Sequence, residues 1–298
     1  MSPPDPASAL FEAQRPRLLR LAYRMLGSLS EAEDIVQDAW LRWSRVEESV
    51  DVPAAYLTRI VTRLCLDQMR SARARRETYY GAWLPEPLVG STEDEQADDL
   101  TLTLMLALER LSPLERAAFL LHDVFGVALS EVAGTLDRDA AAVRQMAVRA
   151  RKHVQTARPR YPVGQAEADR IARAFFAAAR DGDVAALRTM LAEDVAVYSD
   201  GGGRVLAFRN PILGVAKVLR MFAGLARKHA YRPVMLKPVS IDGLPGYVSI
   251  DRGQLLQTTA LEIRDGRIAA IYIMRNPDKL AHVALAFGQA DVTSPGVS

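Results

Sequence analysis

ALSEVAGTL (128–136), DRD (137–139) and AAAVRQMAVRARKHVQTARPR (140–160) make two short helical patterns broken at a turn, the second running out into uninterrupted positive charge. Leu129, Val132, Ala133 and Leu136 recur at helical spacing on the first, and Ala142, Val143, Met146, Ala147 and Ala150 on the second, which predicts a helix-turn-helix. Small residues at Ala133, Ala140, Ala141 and Ala142 let the helices approach closely, and Asp139 stands where a side-chain oxygen caps the second helix. Between Ala140 and Arg160 there are six Lys or Arg residues and no acid, in a 298-residue chain of net charge +2. Such local concentration suits a phosphate chain. Arg144, Gln145 and Arg149 are candidates for base edges, since Arg matches guanine and Gln adenine in a major groove. Arg151, Lys152 and Arg158 are more naturally phosphate contacts. A basic helical hairpin in an unrelated role is the alternative reading.

Upstream, residues 7–76 are helix-like throughout, with Pro16 and Pro53 near expected helix starts. In EAEDIVQDAWLRW, Ile35, Val36, Ala39, Trp40 and Trp43 supply an apolar stripe, while Asp34, Gln37, Asp38 and Leu41 fall on an adjoining face. That face suits a partner with a basic surface, or is simply solvated. In the next segment Tyr56, Leu57, Ile60, Val61, Leu64 and Met69 can pack inward, and Arg59, Arg63, Arg70, Arg73, Arg75 and Arg76 gather at its surface and C-terminal end. These arginines favour a helix terminus or track phosphates. Cys65, the chain's one cysteine, lies in an apolar run and reads as buried.

From Glu77 through Asp99 there are seven acids and no Lys or Arg, the composition of a linker, yet WLPEPLV (83–89) forms an apolar patch inside it that suits docking onto another domain. Helix then resumes over LTLMLALERLSPLERAAFLLHDVFG, with Ser112-Pro113 as a helix start, Glu115 completing a capping box and Phe125-Gly126 closing the segment. His122 reads as a structural histidine, because no Cys or second His stands at metal spacing.

Charge as a whole decides little. Residues 1–163 carry 21 Lys or Arg against 23 Asp or Glu, and the remainder 17 against 13. The arrangement of the basic residues carries the argument. One cysteine excludes an internal disulfide framework and fits a reducing cytoplasm. No apolar run approaches 18 residues, and MSPPDPASAL lacks the pattern of a signal peptide, so no membrane association is expected.

Residues 165–288 change character. AEADRIARAFFAAARDGDVAALRTML is amphipathic helix interrupted at Asp181-Gly182-Asp183, and ILGVAKVLRMFAGLARKH is a further helix. MLKPVSIDGLPGYVSI and LLQTTALEIRDGRIAAIYIMR read as strands of an antiparallel sheet, with turns at Asp242-Gly243, Asp251-Arg252-Gly253 and Asp265-Gly266. Helices followed by a sheet predict an α+β domain.

Taken in order, EAEDIVQDAWLRW, PAAYLTRIVTRLCLDQMRSARARR, the acidic linker, LSPLERAAFLLHDVFGVALSEVAGTL and AAVRQMAVRARKHV resemble an extracytoplasmic-function sigma factor. The resemblance implies a multidomain chain: a region 2 domain at 1–76, a linker at 77–99, a region 4 helix-turn-helix domain at 100–160, and then the 165–288 domain with a flexible tail at 289–298. Both sigma domains are all-α, and the 165–288 domain resembles the SnoaL-like branch of the NTF2-like α+β cone fold. WLPEPLV, DGGGR (200–204) and NPDKL (276–280) stand in the order found in the subgroup with a fused SnoaL-like domain, often called ECF41, with Arg204 where Lys is common.

In family terms the first module binds core RNA polymerase and helps open the minus-10 element, and the second reads the minus-35 element of promoter DNA. The resemblance then places polymerase contacts on Asp34, Gln37, Asp38 and Trp40. Minus-10 contacts fall on Arg59, Arg63, Arg70 and Arg73, and minus-35 contacts on Arg144, Gln145, Arg149, Arg151 and Lys152. It implies regulatory contact between the sigma and SnoaL-like parts through Trp83, Leu84, Pro85, Asp200, Gly201, Gly202, Gly203, Arg204, Asn276, Pro277, Asp278 and Lys279. Promoter elements about 17 base pairs apart lie roughly 58 Å apart, and a 23-residue connector can reach roughly 75 Å.

No cofactor or metal is called for, since the polymerase's own metal site performs nucleotide transfer. The alternative is a C-terminal domain acting as a small-molecule sensor or enzyme, with Tyr198, Asp200, Tyr247, Asp251 and Tyr272 as polar cavity candidates. No adjacent nucleophile, base and acid emerge, and His229 and His282 are as well explained by local packing. The enzyme reading is therefore the weaker.

Overall fold

The computed structural model describes residues 6–46, 50–77, 79, 81–90, 101–155, 164–228, 233–251 and 254–287. The chain divides into two units, one of residues 1–77 with 105–157, the other of residues 78–104 with 158–298.

The first unit is helical. Helices α1 (Pro6–Leu26), α2 (Leu29–Trp43) and α3 (Pro53–Glu77) pack through Leu18, Leu21, Met25, Val36, Leu57 and Val61, all fully buried. Ser28 caps α2 by accepting from the Glu31 amide, and the Trp43 indole N–H reaches the Ala7 carbonyl at 2.8 Å. Pro16 lies inside α1 instead of at a helix start. It is exposed, as is Glu12, so the carbonyl left without an N–H donor faces water. Cys65 is buried, and burial together with the nearby Glu31 charge holds its thiol far above the ordinary range.

Helices α4 (Leu102–Leu108), α5 (Pro113–Phe119, continued by a π turn over Leu120–Val124), α6 (Leu129–Leu136) and α7 (Ala140–Val154) follow. Ser112 and Glu115 form the capping box at the start of α5. Arg116, one residue later, is 1% exposed: Nη1 donates to the Met25 carbonyl at 2.7 Å and pairs with Glu109, while Nε donates to the Leu108 carbonyl. It ties the end of α1 to the start of the helix-turn-helix module. Phe125 reinforces that joint, with Arg17 and Arg24 over its ring.

The second unit packs α8 (Gln165–Asp181), α9 (Val184–Met190) and α10 (Val215–Arg227) on a seven-stranded sheet, with α11 (Pro277–Ala286) at its end. In sheet order the strands are β1 (Val89–Gly90), β4 (Val234–Ile241), β5 (Leu244–Asp251), β6 (Leu255–Arg264), β7 (Arg267–Met274), β2 (Leu191–Asp200) and β3 (Ile212–Leu213). Asp242 and Asp265 take positive φ before Gly243 and Gly266, which makes the tight hairpins β4–β5 and β6–β7. The helices and sheet bury Phe175, Leu187, Val197, Val218, Leu261 and Ile271 in one core.

The second unit is α+β, with one departure from the antiparallel expectation. Strand β2 pairs β7 in parallel, with β3, β4, β5 and β6 intervening along the chain. The turn at Arg252-Gly253 and the tail at 289–298 lie outside the described residues.

Candidate nucleic-acid interface and C-terminal latch

In the helix-turn-helix, α6 ends at Asp137 in the left-handed region and α7 starts at Asp139, whose carboxylate accepts from the Ala142 amide at 2.8 Å. Val132, Ala133, Leu136, Val143, Ala147 and Ala150 are buried between helices. That burial fixes which side of α7 is left outward. Arg144 and Gln145 are exposed on it. Arg149 is exposed and pairs with Glu115 at 3.3 Å, whereas Arg151 is half-buried and held by Asp123 at 2.5 Å. Lys152 points to solvent. Val148, which the sequence reading passed over, is 55% exposed and shares a shallow groove with Arg144, Gln145 and Arg149. Its signal was a branched apolar residue one helical turn after Arg144.

On α2, Asp34, Gln37 and Asp38 are exposed along one face together with Leu41. Trp40 stands apart from them: half-buried, it packs at a tilt against Phe11 with ring centroids 5.1 Å apart. On α3, Arg59, Arg63 and Arg70 are exposed at positions that share a face, and Arg70 pairs with Asp67. The Arg73 side chain lies outside the described residues, as do Arg75, Arg76 and Arg158. Loop residues 47–49 do too.

In the second unit, Tyr79 and residues 81–90 are no free tether. They lie along the C-terminal domain and add β1 to its sheet edge, Val89 opposite Ile241 and Gly90 opposite Ser240. The apolar side chains of WLPEPLV are covered there, Leu84 being 3% exposed. Leu88 and Asp242 exchange hydrogen bonds, the Leu88 amide to the Asp242 carboxylate and the Asp242 amide to the Leu88 carbonyl. Residues 91–100 lie outside the described residues.

Asp200 is the centre of this arrangement and is wholly buried. Its Oδ1 accepts from the Tyr79 hydroxyl at 2.6 Å and the Gly202 amide at 3.0 Å. Its Oδ2 accepts from the Leu84 amide at 2.9 Å and the Lys279 ammonium at 2.8 Å. Lys279 also donates to the Leu84 carbonyl at 2.5 Å and sits over the Trp83 and Tyr79 rings. Burial, with the hydrogen bond to Asp200, drives the Tyr79 phenol far above its ordinary range, so it stays a donor.

Asn276 caps α11 by accepting from the Asp278 amide and donates to the Tyr79 oxygen at 3.1 Å. A Cβ at Gly201 would meet the Val205 carbonyl at 2.3 Å, and one at Gly202, where φ is +62°, would meet the Asn276 side chain at 2.4 Å. Glycine is required at both by close approach. Arg204 pairs with Asp278 at the surface. Pro277 opens α11, and His282, one turn past Asp278, bonds the Pro87 carbonyl at 2.8 Å. That last contact brings in a histidine that the motif reading left to local packing.

The polar cavity candidates divide by strand alternation. Ser199 of β2 and Ile271 and Ile273 of β7 line the cone cavity with Tyr247 and Asp251. Tyr198, Asp200 and Tyr272 fall at the alternate positions and take the other face, where Tyr198 stacks on Tyr272 and Tyr272 donates to Glu262. The cavity reading therefore fails for these three. Among the described residues no group of three or more His, Cys, Asp or Glu is placed to hold a metal ion, and no helix is long and apolar enough to cross a membrane.

The chain matches the families Sigma-70 region 2 over residues 10–75 and Sigma-70, region 4 over residues 101–154. It is 38% identical to the ECF RNA polymerase sigma factor SigJ of Mycobacterium tuberculosis, with 96% of this chain and 97% of that one covered. It is 33% identical to the probable ECF RNA polymerase sigma factor SigI of the same organism, over 94% and 97%. The crystal structure of the Mycobacterium tuberculosis SigJ superposes with a TM-score of 0.73 at 33% identity, covering 92% of this chain and 98% of that one.

Proposed function

Because the chain belongs to the extracytoplasmic-function sigma-factor family, we propose that it lends core RNA polymerase its choice of promoter and its means of opening the minus-10 element, under control of the C-terminal domain. The observation that carries the reading is α7: a capped helix with its apolar side buried and Arg144, Gln145, Val148 and Arg149 outward. A guanidinium and a carboxamide offer the hydrogen bonds that guanine and adenine edges take in a major groove. Arg151 and Lys152, further along, serve the phosphates. The exposed acids Asp34 and Asp38 of α2 make the polymerase contact, with the Gln37 carboxamide beside them and Trp40 fixing the helix from behind. Arg59, Arg63, Arg70 and Arg73 of α3 follow the minus-10 strand.

Control is assigned to the latch formed by Trp83, Leu84 and Pro85, the Asp200 to Arg204 turn and Asn276 to Lys279. It supports a regulatory reading because it fastens the segment joining the two sigma modules, so its state sets how much of that segment is released. Asp200 and Lys279 each bond Leu84, so one charged pair holds both the amide and the carbonyl of the fastened segment. A second reading, control by a small molecule, is favoured by the cone cavity.

Transcription from a defined promoter with core polymerase tests the proposal. Start-site-specific RNA should appear only when polymerase and this chain are both present. Tight binding to duplex promoters without polymerase would instead make the protein an ordinary DNA-binding regulator.

A further inference from the structure

Residues 201–241 hold eight Lys or Arg and no Asp or Glu, a longer acid-free stretch than the 140–160 segment of the helix-turn-helix. The rest of residues 164–298 carries nine against thirteen, so the domain is net acidic apart from this one run of chain. Helix α10 gathers part of the run on a single side. Val215, Val218, Leu219 and Phe222 are buried in the core, which leaves Ala216, Lys217, Arg220, Gly224 and Arg227 on the side turned away from it.

Lys217, Arg220 and Arg227 are exposed, and no acid pairs with them among the described residues. Elsewhere in the same unit, surface arginines are matched with acids: Arg170 with Glu167, Arg188 with Glu193, Arg204 with Asp278 and Arg264 with Asp194. The acids that flank Gly182, where α10 packs closely through Ala226, are also taken, Asp181 by Arg180 and Asp183 by the Ala186 amide. Helix stability does not account for the three cations. Arg227 suits the C-terminal end of α10, but Lys217 stands in its first turn, where the backbone dipole disfavours positive charge. Gly224 weakens the helix interior, and no packing requires it, since a Cβ there would meet nothing within 4 Å. A glycine and Ala216 set among three cations give an extended anion close access to the helix.

We propose that this face of α10 binds the phosphate backbone of promoter DNA, without regard to sequence, as a third contact beside those of the two sigma modules. Its outward residues include no aromatic or large aliphatic side chain to anchor a protein partner. From Lys217 to Arg227 the face runs about 15 Å at 1.5 Å per residue, a length over which duplex DNA carries about nine phosphate charges. The contact rests on the sigma-factor reading only in that the reading brings the chain to DNA.

Full-length protein with core polymerase would be titrated onto one promoter duplex over a range of salt. Lys217→Gln, Arg220→Gln and Arg227→Gln combined should flatten the slope of log K against log salt by about 2 to 3 and weaken binding at least about 10-fold at low salt. The melting transition should be retained, because exposed charges cost little stability. The loss should be equal on duplexes with intact and altered minus-35 elements, unlike the loss of a base contact on α7. A photocrosslink gives the second readout. Cys65 is buried, so Ala216→Cys can be labelled selectively with an azidophenacyl group, and in the full complex that group should attach to DNA. An unchanged salt slope, or no attachment to DNA, overturns the contact, and attachment to a polymerase polypeptide would make the face a site for an acidic protein surface instead. Start-site-specific RNA from the unaltered chain with core polymerase reports on the sigma-factor reading separately: its absence counts against that reading, and its presence with an unchanged slope counts against this contact alone.

Discussion

At the residue scale the structure turns on two buried charges. Asp200 has four donors and Lys279 a carboxylate, a carbonyl and two aromatic faces. Replacing either alone strands the other in a dry site. Asp200→Asn or Lys279→Met should each destabilise the C-terminal unit by about 3–5 kcal/mol, and the double replacement by clearly less than the sum, as urea unfolding of the four proteins would show. Equal, additive losses would mean the pair is not coupled. Arg116 poses the same problem in the helical unit, with two carbonyls and Glu109 depending on it. Tyr247 sets an alkaline limit. Its phenol stays neutral to about 12 in the folded chain against 10.0 ordinarily, so the unfolded chain loses its proton first. That contribution to stability is complete below pH 10 and falls by ~1.4 kcal/mol per pH unit between pH 10 and 12. Tyr247→Phe should lessen the slope of a stability-against-pH curve there, leaving the share of Tyr79 and Tyr272, whose phenols are raised in the same direction. None of these partnerships is written in the sequence. Asp200 and Lys279 could be singled out because they stand in ordered motifs, but nothing in 79 residues of separation says that they touch, and a buried arginine is indistinguishable from a surface one before the fold is known.

At the scale of elements, legibility followed local chemistry. The helix-turn-helix, its Asp139 cap, the Ser112 capping box and the Asp-Gly hairpins were all readable, because each is decided within a few residues. Strand β2 was not. Its partner β7 lies some seventy residues ahead, and its alternation is broken by an irregular register between Leu191 and Ala196. Missing β2 also sent Tyr198 and Asp200 into the cavity, since their face depends on its pleat. The strap over 79–90 was half-legible: the apolar WLPEPLV called for a docking surface, but the sheet edge that receives it is formed by a strand beginning at Val234. For α7 the outward face gives a graded expectation. Alanine at Arg144 should cost about 1–3 kcal/mol of discrimination at one guanine-bearing pair, and alanine at Gln145 the same at an adenine. Alanine at Lys152 should weaken all sequences alike. Val148→Ser should remove a preference for a thymine methyl. Polymerase-dependent binding across a series of minus-35 variants separates the three patterns, and unchanged discrimination in all of them would move the reading surface off α7. On α2, Asp34→Lys with Asp38→Lys should abolish competition for core polymerase and leave the helical unit's melting nearly unchanged, because exposed charges cost little stability but much across an interface of opposite sign.

At the scale of the whole molecule, the chain joins two promoter-reading modules with a segment that the third domain holds. The connecting stretch can extend far enough to serve both promoter elements only when its length is available. Residues 81–90 spend part of that length on the sheet edge and the latch. Loosening the latch and deleting the domain that forms it should therefore move the same quantity in the same direction. Full-length protein, the Asp200→Asn variant, the Trp83→Ala variant and a chain ending at Arg160 would be compared with core polymerase on one promoter. The two latch variants should shift start-site-specific RNA toward the level of the shortened chain by several-fold, with helix content of the sigma unit and affinity for core polymerase unchanged. If the shortened chain differs from full length but the latch variants do not, control runs through some other surface of the C-terminal domain. If the latch variants and the shortened chain move in opposite directions, the latch holds an arrangement that the domain's removal does not restore, and release of the connecting segment is not the controlling event.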